Sequence, residues 1–300
     1  MTGIRTSVVI CVLDDWRILR LLRSLEQQTA SRDSFEVIVV TTGIERYDDL
    51  FDRFDLHIKT EHSPVSRLSI QRNIGLDLAE GEYYLTTDAD CVAEPRWVEE
   101  MTRSLNLADR EIVAVGGAIR KYSHNSLVQR HGITIDDGQN DLNYLPALNL
   151  PYVTGANSGY RTLAVRDLGG YDERFLCGDD VDISYRLGLA GGRLALAPDA
   201  VILHEDRETL VAHFRRFSYY AVDQALLFKK YRHISGARWK FNGYPWRRMS
   251  YAVAATAKGA YPAVRGEWAQ IGLATVTAAE ATGVLAGDLR GSAKHRVLYV

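Results

Sequence analysis

Uninterrupted apolar runs alternate with amphipathic stretches through the first half of the chain. Residues 6–13 and 36–41 are runs of β-branched and other apolar side chains, which is typical of strands buried on both faces. Between them, residues 16–28 place apolar side chains at helical spacing. The alternation continues with a strand, a helix, a strand and a helix, at residues 56–60, 66–79, 82–87 and 95–105. This order predicts an α/β fold with a mostly parallel central sheet and flanking helices.

The second half begins with a further strand and ends in helices. The predicted elements are a strand, a turn-rich stretch, a helix and a long amphipathic helix, at residues 112–119, 154–170, 180–190 and 208–231. After Gly236 come an aromatic, basic stretch and two alanine-rich helical segments. We therefore predict an α/β domain at residues 1–235 and a helical C-terminal extension at residues 236–300.

Composition and charge narrow the range of functions. The chain has 36 lysines and arginines against 38 aspartates and glutamates, and it carries no nucleic-acid-binding motif, so we expect no nucleic-acid partner. The three cysteines, Cys11, Cys91 and Cys177, lack the spacing of a metal or redox site. We expect them to be small buried side chains in a reducing compartment. Because Asp14 and Asp15 interrupt the N-terminal apolar run, it is too short for a signal peptide, and we expect a cytoplasmic protein, with membrane association as the alternative.

Two aspartates at a strand end are the first candidates for chemistry. Asp88 and Asp90 would lie at the carboxyl end of the strand at residues 82–87, where open parallel sheets bind their ligands. Two carboxylates one residue apart can hold magnesium or manganese together with substrate phosphates. The alternative is a solvated turn, because the pattern Asp-x-Asp is common by chance.

A second acidic cluster lies at a predicted helix start. Asp179 and Asp180 follow Gly178, where exposed amides and the helix dipole favour ionised carboxylates. Helix capping and an ion pair between Asp182 and Arg186 would explain part of this cluster. They leave Asp180 as a candidate general base, which must be ionised and within reach of a hydroxyl.

His204 follows the apolar run at residues 201–203. A lone histidine is more often a core or surface residue than a ligand. At a strand end, however, its neutral imidazole could complete a metal site begun by Asp90.

An ordered set of short motifs resembles a known family. The set is Gln71-Arg72-Asn73-Ile74-Gly75, Gly81-Glu82-Tyr83, Asp88-Ala89-Asp90, Gly155-Ala156-Asn157, the acidic run from Gly178 to Arg186, and Pro198-Asp199-Ala200 leading to His204. Together these motifs resemble the inverting family-two glycosyltransferases, over residues 6–231. The resemblance implies a GT-A fold with a Rossmann-like sheet, and residues 1–235 as the catalytic domain. It also implies a nucleotide-sugar donor, a divalent metal, and transfer of one sugar by a single displacement.

The resemblance implies roles for individual residues. Asp90 and His204 would bind Mn²⁺ or Mg²⁺ at the donor diphosphate, and Asp180 would be the general base that activates the acceptor. The residues implied at the donor nucleotide are Val12, Asp14, Thr41, Arg72, Asn73, Asp88 and Ala89. The residues implied at the acceptor or the sugar are Gly155, Asn157 and Asp179.

Two departures from the family pattern fall where the nucleotide base is bound. The first strand ends Cys11-Val12-Leu13-Asp14 instead of Pro-Thr-Tyr-Asn, and the second ends Thr41-Thr42-Gly43 instead of an acidic pair before glycine. A hydroxyl is a weaker acceptor for a base N–H than a carboxylate is. A guanine, thymine or unusual donor is therefore as open as a uridine donor.

Aromatic and basic side chains are interleaved after Gly236. They are Trp239, Phe241, Tyr244 and Trp246 with Arg238, Lys240, Arg247 and Arg248. This pattern is compatible with an aromatic lid, a membrane-facing surface or a packed tail. The apolar segment at residues 271–285 is too short to span a membrane, and Glu280 interrupts it. The acceptor, whether a small molecule, a lipid or a glycan, stays open, as does assembly into a homo-oligomer.

Two other functions compete with sugar transfer. Asp88-Ala89-Asp90-Cys91-Val92 fits the first motif of haloacid-dehalogenase-like phosphatases, in which Asp88 would be a nucleophile. In those enzymes the motif ends the first strand, whereas about three strands precede Asp88 here. A non-catalytic relative that only binds a sugar nucleotide is the other alternative, suggested by the altered base pocket.

Overall fold

The computed structural model describes residues 4–43, 48–107, 111–132, 143–144, 150–236, 238–264 and 268–299. The chain forms two compact units. The first comprises Met1–Tyr122, Ile135–Tyr144 and Leu150–Glu205, and the second comprises Ser123–Thr134, Leu145–Asn149 and Asp206–Val300. The long helix before residue 235, which we assigned to the first domain, thus groups with the C-terminal helices. A functional boundary at residue 235 stays a prediction.

Several strands of the first unit coincide with the apolar runs of the sequence. They are β1 (Thr6–Leu13), β2 (Phe35–Thr42), β3 (Ile58–His62), β4 (Tyr83–Asp88), β5 (Cys91–Ala93), β6 (Ile112–Lys121), β7 (Asn143–Tyr144), β8 (Pro151–Tyr152), β9 (Asn157–Arg161) and β10 (Arg193–His204). Eight of them form one sheet in the order β3-β2-β1-β4-β9-β6-β10-β5, and β7 pairs with β8. This confirms the predicted α/β class.

Helices flank the sheet and make up most of the second unit. Those of the first unit are α1 (Ile18–Glu26), α2 (Asp48–Phe51), α3 (Leu68–Leu78), α4 (Trp97–Leu107), α6 (Thr162–Asp167) and α7 (Asp179–Leu189), with a 3₁₀ turn at Arg32–Ser34. Those of the second unit are α5 (Leu127–His131), α8 (Leu210–Ser235), α9 (Tyr244–Val264) and α10 (Ala269–His295).

The sheet is mixed, because β9 runs antiparallel to its neighbours β4 and β6. We predicted only a turn-rich stretch at residues 154–170, and this was wrong for the strand it contains. β9 has the sequence NSGYR, which lacks an apolar run, yet its first four residues are buried between two other strands. Backbone pairing on both sides, rather than side-chain pattern, therefore determines this strand.

The core lies on both faces of the sheet, because successive side chains of a strand point to opposite faces. Val8 and Ile10 of β1 belong to the cluster that contains Trp97 of α4. Val9, between them, belongs to the cluster that contains Leu76 of α3. Burial on both faces explains why β1 is almost continuously apolar.

Strand pairing also determines where the candidate site residues lie. β1, β2 and β4 are parallel, so their carboxyl ends meet at one edge, with Cys11 of β1 beside Asp88 of β4. β10 pairs antiparallel with β5, which puts His204 opposite Cys91. The sequence-distant Asp90 and His204 are thereby brought to the same edge of the sheet.

The second unit is built mainly from α8, α9 and α10. Glu280, which interrupts the apolar part of α10, is fully buried and accepts hydrogen bonds from Arg248 at 3.0 and 2.8 Å. A buried carboxylate needs such a partner, and α9 supplies it. Within the described part of the chain, no helix combines the length and apolarity needed to cross a membrane.

Candidate active site

Asp90 and His204 form the candidate metal site. Oδ1 of Asp90 lies 3.6 Å from Nε2 of His204, and both side chains are buried. Together with Sγ of Cys91 they offer three ligand atoms within 4.8 Å of one another. The sequence-predicted pair is thus close enough to bind one ion.

The chemistry of these groups fits a divalent cation. Oδ1 of Asp90 is buried and has no hydrogen-bond partner among the described residues, so this carboxyl oxygen faces the site without a donor. A carboxylate oxygen and an imidazole nitrogen suit Mn²⁺, and Mg²⁺ accepts the oxygen. Burial raises the pKa of the Cys91 thiol well above its ordinary value, so the thiol stays protonated and is a poor ligand. The buried cysteine otherwise behaves as the small apolar side chain that we predicted.

Arg17 is a residue of this site that sequence analysis missed. Its guanidinium donates to Asp15 from Nε at 2.9 Å and from Nη2 at 2.6 Å, and Nη2 lies 3.5 Å from Oδ2 of Asp90. Arg20 pairs with Glu205 at 2.5 Å on the same side. The predicted helix at residues 16–28 begins only at Ile18, as α1, and has no side-chain cap. Arg17 and Arg20 lie beside Asp90.

A buried ion pair connects the two acidic clusters. Nη1 of Arg72 in α3 donates to Oδ2 of Asp179 at 2.6 Å, and both side chains are almost completely buried. Nη2 of the same guanidinium lies 4.0 Å from Oδ1 of Asp88. Removing either member of such a pair would leave an uncompensated charge in the protein. Arg72 and Asp179, predicted at the nucleotide and at the acceptor, therefore contact each other directly.

Asp180 lies beside this pair at the start of α7 and is partly exposed. Its Oδ2 accepts a hydrogen bond from the backbone N–H of Gly155 at 2.7 Å, and Oδ1 accepts one from Val181 at 2.8 Å. Desolvation and the nearby charge of Asp179 raise the pKa of Asp180 to about 6, against the opposing effects of Arg72 and the two N–H groups. The carboxylate is thus ionised at neutral pH and is a stronger base than an ordinary aspartate.

The residues predicted at the nucleotide base lie at the ends of β1 and β2. The Thr41 hydroxyl donates to the carbonyl of Glu61 at 3.4 Å. Asp14 has a positive φ of 41°, which aspartate tolerates better than most residues, and its carboxylate lies against the Cα of Gly43. Any side chain at residue 43 would overlap that carboxylate, and the φ of Gly43 is 106°. Val12, the remaining predicted residue of β1, is buried.

Comparison with known proteins identifies the family. The model of the family described as "Glycosyl transferase family 2" matches residues 7–169, which is more than half of the chain. The chain belongs to glycosyltransferase family 2. The matched residues include Arg72, Asp88 and Asp90, whereas Asp180 and His204 lie beyond them.

Individual relatives agree with the family. The chain is 28% identical over 212 residues to the pre-mycofactocin glycosyltransferase of Mycobacterium tuberculosis, which covers 68% of this chain and 44% of that relative. It is 22% identical over 222 residues to the glycosyltransferase AglE of Haloferax volcanii, covering 70% of each. The chain therefore spans less than half of the length of the mycobacterial relative.

Solved structures share the fold. The mannosyltransferase PcManGT of Pyrobaculum calidifontis, solved in complex with GDP-Man and Mn²⁺, superposes with a TM-score of 0.61 at 19% identity. The superposition covers 94% of this chain and 87% of that one. This confirms the GT-A fold. Membership of the family, with Asp88 at the end of the fourth strand, excludes the haloacid-dehalogenase-like alternative.

Two of the predicted site residues, Asn157 and Asn73, make several structural contacts. The Asn157 amide donates to the carbonyls of Ala118 and Ala200 at 2.7 and 2.9 Å and accepts from Nε1 of Trp97 at 2.7 Å. The Asn73 amide holds both backbone groups of Tyr171, at 3.0 and 2.7 Å. Their roles at the acceptor and the nucleotide stay predictions, and these contacts argue that each asparagine positions the backbone.

The surroundings of residue 155 explain why the Gly155-Ala156-Asn157 motif begins with glycine. A Cβ at this residue would overlap the guanidinium of Arg72, which is buried and cannot move away without leaving Asp179. The same glycine donates its N–H to Asp180. Ala89, in the motif at the end of β4, is likewise buried.

We expect Gly155→Ala to lower the free energy of unfolding by about 3 kcal/mol, because it displaces one partner of a buried ion pair. Gly188→Ala in α7 is the matched control. Apart from the helix's own backbone and the adjacent residues, no atom of the described residues lies within 4 Å of a Cβ at Gly188, so alanine there should be neutral or stabilise the helix by up to about 1 kcal/mol. Denaturant unfolding of both variants tests this, and equal stability of Gly155→Ala and wild type would show that Arg72 is free to move.

Proposed function

We propose that the protein transfers a single sugar from a nucleotide diphosphate to an acceptor hydroxyl, in an inverting, metal-dependent displacement. The observation that carries this proposal is the Asp180 carboxylate, which is partly exposed, ionised at neutral pH and held by two backbone N–H groups. A general base for a hydroxyl needs these properties. In a single displacement one base activates the acceptor, whose oxygen attacks the anomeric carbon directly, so the configuration at that carbon inverts.

Asp90 and His204 would hold Mn²⁺ or Mg²⁺ in this reaction. A bound ion would supply Lewis-acid chemistry at the donor diphosphate. Arg17 adds a fixed positive charge near Asp90 and keeps Oδ2 of that carboxylate oriented, which leaves Oδ1 directed to the site. Asp88 lies next to Arg72, and we propose that it contacts the ribose.

Asp180 would accept the proton of the acceptor hydroxyl as its oxygen attacks the sugar. The proton moves to Asp180, the new glycosidic bond forms, and the bond between the sugar and the diphosphate breaks. The N–H groups of Gly155 and Val181 keep the carboxylate oriented during this step. Arg72 limits how far the pKa of Asp180 rises, because its positive charge favours the ionised form.

Asp14 is our candidate for recognition of the donor base. The end of β2 has hydroxyls where an acid is expected, but the Asp14 carboxylate from β1 lies against Gly43 at that strand end. We propose that it accepts a hydrogen bond from a base N–H. Uracil, thymine and guanine all present a ring N–H, so this contact alone does not choose among them.

Thermal unfolding with UDP, GDP and dTDP, each with and without Mn²⁺, tests the proposal. A ligand that binds only the folded protein stabilises it by about 2.7 kcal/mol at a hundredfold excess over its dissociation constant. We expect one nucleotide to raise the melting temperature, and to do so only with Mn²⁺. Stabilisation by none of the three would overturn a donor site for these nucleotides.

A further inference from the structure

A long segment of the second unit is strongly basic, although the whole chain has a formal net charge of −2. Residues 224–266 include nine lysines and arginines and no aspartate or glutamate. Of these basic residues, Arg238, Lys240, Arg247 and Lys258 form no ion pair among the residues that the structure describes. Arg248, by contrast, is turned inward to Glu280. The segment thus presents positive charge that no acidic side chain in the described part of the chain neutralises.

Large apolar side chains are exposed within the same segment. Trp239, Phe241 and Trp246 are 61%, 55% and 52% exposed. The rings of Phe241 and Trp246 stack with their centroids 6.5 Å apart and their planes at 18°. Leu298 is 56% exposed and accepts the N–H of Lys240, so it extends the same patch. An apolar cluster of this kind on a protein surface marks an interaction site.

Helix α9 continues the patch along its exposed side. Trp246 and Val253 are seven residues apart and lie on one stripe, and Val253 is 64% exposed. Arg247 and Lys258 form a second stripe, about 100° further round the helix. An apolar stripe flanked by a basic stripe is typical of a helix that lies in the plane of a membrane surface.

We propose that this surface, defined by Trp239, Phe241, Trp246, Val253 and Leu298 with the basic residues Arg238, Lys240, Arg247 and Lys258, docks onto an anionic lipid membrane. The aromatic rings would enter the headgroup region, where their amphipathic character is favourable. The long basic side chains would reach the lipid phosphates while their stems cover apolar surface. The proposal concerns the second unit and is independent of the proposed sugar transfer.

A single-stranded nucleic acid is the main competing occupant, because it also binds basic and aromatic side chains. Two observations favour lipid. Phe241 and Trp246 stack on each other, so neither ring offers both faces to a base. Val253 and Leu298 are aliphatic and suit acyl chains rather than base stacking.

Sedimentation of the full chain with vesicles tests the proposal. We expect binding to vesicles of phosphatidylcholine with phosphatidylglycerol, weakening with added salt, and little binding to phosphatidylcholine alone. The triple variant R238Q/K240Q/R247Q should bind the anionic vesicles on the order of a hundredfold more weakly at low salt. The variant W239S/F241S/W246S should lose binding at every salt concentration.

The matched control is R23Q/R53Q/R193Q, which removes the same charge from exposed residues of the first unit. It should bind vesicles like the wild type. Far-UV circular dichroism and nucleotide-dependent thermal stabilisation should be unchanged in all three variants, which separates lost docking from lost folding and from failure of the donor site. Equal binding by the control and by R238Q/K240Q/R247Q, absence of vesicle binding, or tighter binding of a single-stranded oligonucleotide than of vesicles would each overturn the proposal.

Discussion

Asp180→Asn is expected to lower the turnover of the matching sugar nucleotide by roughly 10²- to 10⁴-fold, the usual contribution of a general base. Asparagine keeps the size of the side chain and an oxygen that can accept from Gly155, but it cannot accept a proton. Turnover is measured as release of the nucleoside diphosphate. Because the substitution leaves Asp90, His204 and Asp14 in place, nucleotide-dependent thermal stabilisation should remain.

The pH dependence of turnover gives this prediction a second readout. Burial beside Asp179 raises the pKa of Asp180 to about 6, so the base is ionised above this pH and protonated below it. Wild-type turnover should therefore fall about tenfold for each pH unit below 6, and the residual turnover of Asp180→Asn should lack this decline. Asp199→Asn, which removes an exposed carboxylate, is the control and should behave as the wild type.

Two results would contradict the role of Asp180. One is an Asp180→Asn variant with turnover close to that of the wild type. The other is loss of nucleotide binding together with turnover, which would make Asp180 a residue of the donor site. In the first case the second acidic cluster would serve mainly to pair with Arg72 and to begin α7.

The α/β class could be predicted because the central strands of the sheet are continuous apolar runs in the sequence. β1 and β2 are buried on both faces, and such strands need continuous apolar sequence. β9 was not predictable in this way, since the polar and glycine residues of NSGYR are stabilised by pairing with two neighbours. Long-range pairing of this kind leaves no periodic trace in the local sequence.

Some residues of the candidate site could likewise be predicted from the sequence, and others could not. Asp88 and Asp90 could be placed because they directly follow a recognisable strand, and the order of motifs suggested that His204 joins them. Arg17 could not, because its approach to Asp90 depends on how the chain turns after β1. A basic residue soon after two aspartates at a strand end was the signal available in the sequence.

For Asn157, a sequence motif predicts the residue type but not the contacts that its side chain makes. A motif places Asn157 near the acceptor, but three hydrogen bonds to Trp97, Ala118 and Ala200 occupy its amide. A motif records that a residue type is needed at a position, and the structure is required to tell contact with a ligand from support of the backbone. Gly155 likewise has a structural reason, because the Arg72 guanidinium fills the space that a side chain at residue 155 would need.

Asp90→Ala should abolish the stabilisation by nucleotide and Mn²⁺, which amounts to about 2.7 kcal/mol at a hundredfold excess over the dissociation constant. The variant removes the carboxylate oxygen that faces the site without a hydrogen-bond partner among the described residues. His204 alone would then offer a single ligand, with Cys91 held protonated by burial. Thermal unfolding with and without Mn²⁺ measures the loss.

Cys91→Ala is the informative comparison, because Sγ of Cys91 lies in the same group of candidate ligand atoms as Asp90. If a hard divalent cation bridges protein and diphosphate, Cys91→Ala should keep the Mn²⁺-dependent stabilisation that Asp90→Ala loses. Without ligands, the free energy of unfolding of Asp90→Ala should lie within about 1 kcal/mol of the wild-type value, because Arg17 retains its paired contact with Asp15. Loss of the effect in Cys91→Ala but not in Asp90→Ala would instead indicate that the Cys91 sulfur holds the ion, and would remove the basis for placing the donor diphosphate at Asp90.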